Sequence, residues 1–297
     1  MVGSILGFNM KRSEFMTTPT TTRAIMGKQF LSHRSAMIGA MIVTLFLLLA
    51  ISAPLITPYD YTERSPDLLT APSAQHWFGT DEMGRDIFTR VIYGTRISLW
   101  VGFFAISGSI LVGSLLGLIA GYYGGIRDTF ISRLFDILLA FPSILLAISI
   151  VAMLGPGLNH ALLAIAIINI PTFGRLMRAR VISVKTEDYI AAARAIGMKD
   201  ARIIMRHILP NSWTPILVQG TLGFATAVIE AAALGFLGLG AEPPAPEWGT
   251  MLSDARQYIQ LAPWTMIFPG VAIMLTVLGF NLLGDGLRDI YDPKMKV

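Results

Sequence analysis

Residues able to do chemistry are scarce in this chain, and their spacing excludes most catalytic machinery. There are no cysteines, so disulfides, thiolate nucleophiles and cysteine-based metal sites are ruled out. The four histidines, His33, His76, His160 and His207, are scattered and form no HxxxH or HExxH pair. Neither a GxxxxGK[ST] phosphate loop nor a GxSxG elbow occurs. The expectation is no catalytic residue, no cofactor and no metal. Two features remain. Glu230 lies inside a long apolar run, where a carboxylate is costly unless paired, protonated or facing water. It could line a path and meet a substrate amino group, or it could hydrogen-bond a neighbouring helix. The second feature is Glu187 to Asn211, EDYIAAARAIGMKDARIIMRHILPN, a charged, helix-prone stretch between apolar runs. With no catalytic machinery in view, it suggests a docking surface for a soluble partner.

These residues must be positioned by elements that cross a membrane. Of 297 residues, 54% are hydrophobic and only 14% charged, with a mean hydropathy of +0.62. A soluble domain carries roughly a quarter charged residues. Six apolar runs are each near the ~20 residues that cross about 30 Å of hydrocarbon. They are Ser35–Ile56, Ile97–Tyr122, Thr129–Leu154 interrupted by Pro142, Ala161–Met177 with Asn169 and Pro171 inside, Trp213–Leu239, and Pro263–Leu283. The runs are continuously apolar and do not alternate, so they read as helices and not as barrel strands. The first begins too late and runs too long for a cleavable signal peptide. The expected fold is all-α and polytopic, with Pro142 and Pro171 kinking helices. Gly113, Gly117 and Gly121 make one small-residue face for close packing.

Six spans place both termini on one side. Lys11, Arg12, Arg23, Lys28 and Arg34 precede the first span. Arg175, Arg178, Arg180, Lys185, Arg194, Lys199, Arg202 and Arg206 follow the fourth, and Arg288, Lys294 and Lys296 follow the last. The other side has Arg64, Arg85, Arg90 and Arg96 in one long loop, no basic residue in Gly155–Asn159 and only Arg256 in the last loop, so the termini and Glu187–Asn211 are expected to be cytoplasmic. The net charge of +4 then speaks of orientation and not of nucleic acid.

Within the charged segment, Thr186 is a plausible N-cap, with Glu187 and Asp188 in a first turn that favours acids. Ala191, Ala192, Ala193 and Ala195 are strong helix formers, and Gly197 can end the helix in the left-handed conformation. Asp200 can cap a second helix over Ala201–Ile208, stopped by Leu209-Pro210. The alternative is an ordinary amphipathic pair on the membrane surface. Elsewhere, Asp81 and Arg85 could pair on a short helix, folding a cap or presenting a contact surface. Arg133 and Asp136 read as an interfacial pair.

Ala191-Ala192-Ala193, Gly197 and Leu209-Pro210 resemble the EAA loop of binding-protein-dependent ABC importer permeases. The family pattern is Glu-Ala-Ala, three residues, Gly, nine residues, Ile, one residue, Leu-Pro. The spacing matches; Ala191 replaces the glutamate and His207 the isoleucine. Phe78-Gly-Thr-Asp81, Gly84-Arg-Asp86, Arg90, Tyr93-Gly94, Arg96 and Ser98-Leu99 resemble the segment before the second span in dipeptide, oligopeptide and nickel permeases. Asp136 to Pro142, Ala233 to Gly240, Pro246 to Gly249 and Asn281 to Asp289 agree with it. The second permease of dipeptide importers is most similar. The resemblance implies a type I importer permease fold, with Ala191, Ala192, Ala193, Gly197, Leu209 and Pro210 coupling to ATPase subunits. The expected layout is a cytoplasmic arm (1–34), which lies outside the resemblance, then a first span with a periplasmic loop (35–96), a transmembrane domain (97–286) holding the coupling loop 187–211, and a cytoplasmic tail (287–297). Implied partners are two P-loop ATPases, a second permease, usually forming a heterodimer, and a periplasmic or lipid-anchored peptide-binding protein. The location implied is a prokaryotic inner membrane and the cargo a di- or oligopeptide. Nickel, glutathione and cationic peptides are carried by near relatives. The reading from another class is a proton- or sodium-driven carrier using Glu230, though no internal repeat is visible.

Overall fold

A computed structural model describes residues 30–291; the expected arm up to residue 29 and the tail from residue 292 lie outside them. Among the described residues the chain is helical, with one isolated bridge between Thr80 and Asp86 and no strand. The long helices are α1 (Arg34–Ile56), α2 (Ile87–Tyr123), α5 (Leu158–Lys185), α8 (Leu209–Phe236) and α10 (Trp264–Tyr291). Shorter pieces are α3 (Gly125–Leu139), α4 (Ser143–Leu154), α6 (Asp188–Ala195), α7 (Asp200–Ile203) and α9 (Trp248–Ala255). Five helices are long and apolar enough to cross a membrane, and α3 with α4 makes a sixth if the bent pair is one span.

The third run is broken and not merely kinked: α3 and α4 meet at 90°. Pro142 offers no N–H and bars Phe141 from the helical region, so the chain leaves α3 and restarts with Pro142 as the N-cap of α4. By contrast α5 runs unbroken through Pro171.

The second span is also longer than its hydropathy suggests, beginning at Ile87 instead of Ile97. Arg90 and Arg96 dilute its first turns, yet Arg90 is buried in a cap over one end of the bundle. There Asp81 accepts from Arg85 Nε at 2.6 Å and lies 3.6 Å from Arg90 Nε. This pair sits on a turn and not on the expected short helix. Gly84 takes φ +73°, and Asp81 Oδ1 accepts from the backbone N–H groups of Met83 and Arg85. Asp86 caps α2 by accepting from Thr89 N at 2.7 Å, and it also meets His76 Nδ1 at 2.9 Å. The indoles of Trp248 and Trp264 donate to the Val91 and Thr80 carbonyls. Glu247 caps α9 through the N–H groups of Gly249 and Thr250; its burial pushes the carboxyl above its ordinary range. The charged and indole groups named here are thus engaged within the block, although the buried Thr89 hydroxyl has no partner. A contact surface here would fall to exposed neighbours such as Trp77, 56% accessible.

The bundle itself closes on α2 and α5. A Cβ at Gly113 would lie 2.5 Å from the Ile170 carbonyl oxygen, one at Gly117 would overlap that of Gly174, and one at Gly121 would lie 2.8 Å from that of Arg178. The three glycines therefore pack backbone against backbone along α5, as a small-residue face predicts. Ser109 adds a hydrogen bond to the Ala166 carbonyl at 2.8 Å. From the opposite side, the buried ring of Phe135 on α3 fills the space a side chain at Gly174 would need.

Gly117→Val is expected to destabilise the bundle by about 1–3 kcal/mol, the usual range for overpacking. Gly108→Ala, whose Cβ would meet only Ala166 Cβ at 3.6 Å, should be close to neutral. Thermal unfolding of both variants in detergent checks this; equal midpoints would refute backbone contact at Gly117.

Candidate functional site

The charged segment after α5 folds as two short helices about a glycine, and its two faces differ. Ile190 and Ala193 on α6, Ile203 on α7 and Ile208 beyond it are buried with Met177, Val181 and Val184 of α5 and Tyr122 of α2. Each fully buried isoleucine contributes roughly 1.5–3 kcal/mol. A charge pair on an exposed surface contributes about 0–1 kcal/mol. Apolar burial therefore holds the segment on the bundle, which distinguishes it from an amphipathic pair lying loosely on a membrane surface.

The outward face carries Ala191, Ala192, Ala195 and Gly197, all exposed. Ile196 and Met205 protrude beside them, 79% and 66% accessible. With Tyr189, 43% accessible, these are large groups on a surface rich in alanine and charge. Of the three alanines of the motif, Ala193 alone turns inward. Pro210 is exposed, whereas Leu209 packs partly against the core.

Gly197 has φ +80°. Its N–H donates to the Arg194 carbonyl at 2.9 Å, and the Met198 N–H to that of Ala193 at 3.1 Å. This pair of bonds is a Schellman end, in which a residue with a side chain is strained. A Cβ at Gly197 would touch nothing within 4 Å. Backbone conformation, and not lack of room within the chain, thus demands glycine here.

Three expectations about the segment's ends need correction. Glu187 occupies the N-cap position instead of Thr186, whose hydroxyl donates back to the Ser183 carbonyl. Asp200 lies in the first turn of α7, with Lys199 at the cap, because its carboxylate reaches across to accept from the Tyr122 hydroxyl at 2.6 Å. Leu209-Pro210 does not stop the helix. A π turn over Ile204–Ile208 leads straight into α8, and the Leu209 N–H reaches back five residues to the Ile204 carbonyl. The wider turn lets the chain pass a proline that would break regular α pairing. The result is a continuous helical run from Asp200 to Phe236. His207 presents its ring to Tyr189 of α6, with centroids 6.2 Å apart.

Sequence reasoning missed Tyr122. It lies in the last turn of α2, beside the base of the segment. Besides bonding Asp200, its carbonyl accepts from Lys185 Nζ at 2.5 Å, and Arg194 lies 5.8 Å from its ring centroid. Nearby, Arg178 of α5 grips Asp128 of α3 with two bonds of 2.5 and 2.7 Å. Asp136 meets Arg175 at 2.6 Å and Arg133 at 3.6 Å, so the interfacial pair becomes a triad.

Glu230 lies far from this segment. It is 9% exposed, and its Oε2 accepts from Asn169 Nδ2 of α5 at 2.9 Å. The amide also donates to the Ile165 carbonyl at 2.9 Å. Of the two roles expected for Glu230, this contact matches the bond to a neighbouring helix. Among the described residues no group of three or more histidines and acids could hold a metal ion.

Comparison with known proteins shows what the whole chain is similar to. Residues 113–297 match the binding-protein-dependent transport system inner membrane component, and residues 23–72 the N-terminal transmembrane domain of oligopeptide transport permease C. A dipeptide transport system permease of Alkalihalophilus pseudofirmus is 64% identical over 270 residues, covering 91% of this chain and 89% of that protein. One from Haemophilus influenzae is 47% identical, covering 90% and 93%. A glutathione transport system permease of Escherichia coli is 50% identical, covering 91% and 89%. In solved structures, inward facing conformations of the MetNI methionine ABC transporter match 69% of this chain and 98% of theirs. The TM-score is 0.57 at 19% identity, a likeness of fold.

Tyr122→Phe removes the hydroxyl that Asp200 accepts. About 1.5–3 kcal/mol is expected to be lost locally, the range for a hydrogen bond to a charged group. Hydrogen exchange should rise across Asp188–Ile203 and stay unchanged in α2 and α5. Unchanged exchange in α6 and α7 would show that the tyrosine is not an anchor.

Proposed function

The chain belongs to the family of binding-protein-dependent transport system inner membrane components, and from that membership we propose that it is the permease subunit of an ABC importer moving di- or oligopeptides across a prokaryotic cytoplasmic membrane. The observation that carries the reading is the segment of α6, Gly197 and α7. It is fixed to the bundle by Ile190, Ile203 and Tyr122, and it presents a small, partly apolar tip. A lever must be rigid at its base and shaped for a cleft at its end.

The driving force comes from two P-loop ATPase subunits, since this chain has no phosphate loop of its own. When their clefts move, Ala191, Ala192 and Gly197 transmit the displacement. The continuous run from Asp200 into α8 carries it along the bundle, with no flexible joint to absorb it. Access to the cavity then alternates between the two sides. A second permease, most simply a different chain, completes the path, and a periplasmic or lipid-anchored binding protein delivers peptide. The 64% identity to a dipeptide permease supports short peptides as the cargo. An ion-driven carrier gains no support from Glu230, whose carboxylate already accepts from Asn169.

Gly197→Pro is expected to abolish ATP-driven peptide uptake with membrane insertion intact, because proline cannot adopt φ +80°. Gly197→Asp should do the same. Uptake at wild-type rate by a well-inserted variant would refute the coupling role.

Orientation is proposed from the basic residues, with both termini and the coupling segment cytoplasmic. A cysteine at Ser253 should react with an impermeant maleimide added outside intact cells, and one at Ser183 should react only after lysis. The reverse pattern would invert the assignment.

A further inference from the structure

A cavity of about 590 Å³ opens between α5, α8 and α10, near the end of the bundle that bears α6 and α7. Its size falls within the roughly 300–1,000 Å³ of small-ligand sites. Arg180 and Arg288 line it together with Asn211, Thr214, Gln219 and Tyr291, and among the described lining residues none is acidic. Arg180 Nε is buried with no hydrogen-bond partner. Its neighbours on α5 differ in this respect, since Arg175 and Arg178 each hold an aspartate. Arg180 is half-buried with this one atom shielded from water, and a ligand anion would supply the partner it lacks.

The sign of the charge selects the end of the substrate. Glu230, the acid that could have met an amino group, is engaged by Asn169. The charges that line the cavity are cationic. The amide and hydroxyl groups of Asn211, Thr214 and Gln219 suit a peptide bond, whereas an acyl chain would leave them without partners. Resting on the reading of the chain as a peptide permease, we propose that this cavity is a subsite for the C-terminal carboxylate of a short peptide, held by Arg180 and Arg288.

The test uses the full chain in phosphatidylcholine nanodiscs. Phenylglyoxal modifies accessible guanidinium groups, and peptide mapping reads Arg180 and Arg288 separately. Alanyl-alanine in large excess should slow modification of both by about tenfold relative to its C-terminal amide, the factor one charge-assisted hydrogen bond supplies. Equal protection by the amide, or none by either peptide, overturns the proposal. So does full protection by phosphatidylglycerol nanodiscs without peptide, which would assign the cavity to a lipid headgroup. Uptake of alanyl-alanine by cells carrying the assembled importer is measured in parallel. Uptake without protection removes the subsite and leaves the permease reading standing. Protection specific to the carboxylate, with no uptake, would keep the subsite and count against the permease reading.

Discussion

The approach of α2 to α5 at Gly113, Gly117 and Gly121 is the constraint on which the remainder of the structure rests. Backbones can come this close only where no side chain intervenes, and here glycines meet the carbonyls of Ile170, Gly174 and Arg178. In a bilayer, helix association gains little from the hydrophobic effect, so such close packing must supply much of the attraction. It also fixes register. With Gly121 set against Arg178, Tyr122 arrives beside the end of α5, where it meets Lys185 and the base of the coupling segment. A shift of one residue in this interface would remove Tyr122 from Asp200.

Charge is handled differently at the two ends of the bundle. At the capped end, Asp81, Arg85 and Arg90 are buried together, and removing one partner would leave an uncompensated charge. This favours a rigid lid over a set of groups free to bind something else. At the other end, Arg175 and Arg178 tie α5 to Asp136 and Asp128 of α3 through more accessible pairs. Such pairs contribute little individually, but they tie α3 to α5 ahead of the 90° break at Pro142.

The role proposed for the segment of α6, Gly197 and α7 sets two requirements that usually conflict: a tip accessible to a partner and a base that does not yield when pushed. The structure separates them by face: Ile190, Ile203 and Ile208 inward, Ala191, Ala192, Ile196 and Met205 outward. The loss of the family's glutamate at Ala191 leaves this division intact, because the anchor is apolar burial together with Tyr122. His207, in the place of an isoleucine, keeps a packing role through Tyr189.

The sequence by itself determined the apolar runs, the small-residue face of α2, the left-handed turn at Gly197 and the motif that marks the coupling segment. These are local properties, set by the hydropathy, spacing and backbone freedom of consecutive residues. The tertiary structure alone decided the rest. In the sequence Tyr122 only closes the second apolar run, and it becomes an anchor because Asp200, 78 residues later, is brought to its hydroxyl. Glu230 could line a path or bond a neighbouring helix, and its bond to α5 depends on Asn169, 61 residues away. Leu209-Pro210 resembles a helix stop, but a π turn carries the chain past it into α8. Periodicity says which face of a helix is apolar or small. Which helix lies against that face, and which polar group therefore finds its partner, depends on contacts between segments far apart in the chain.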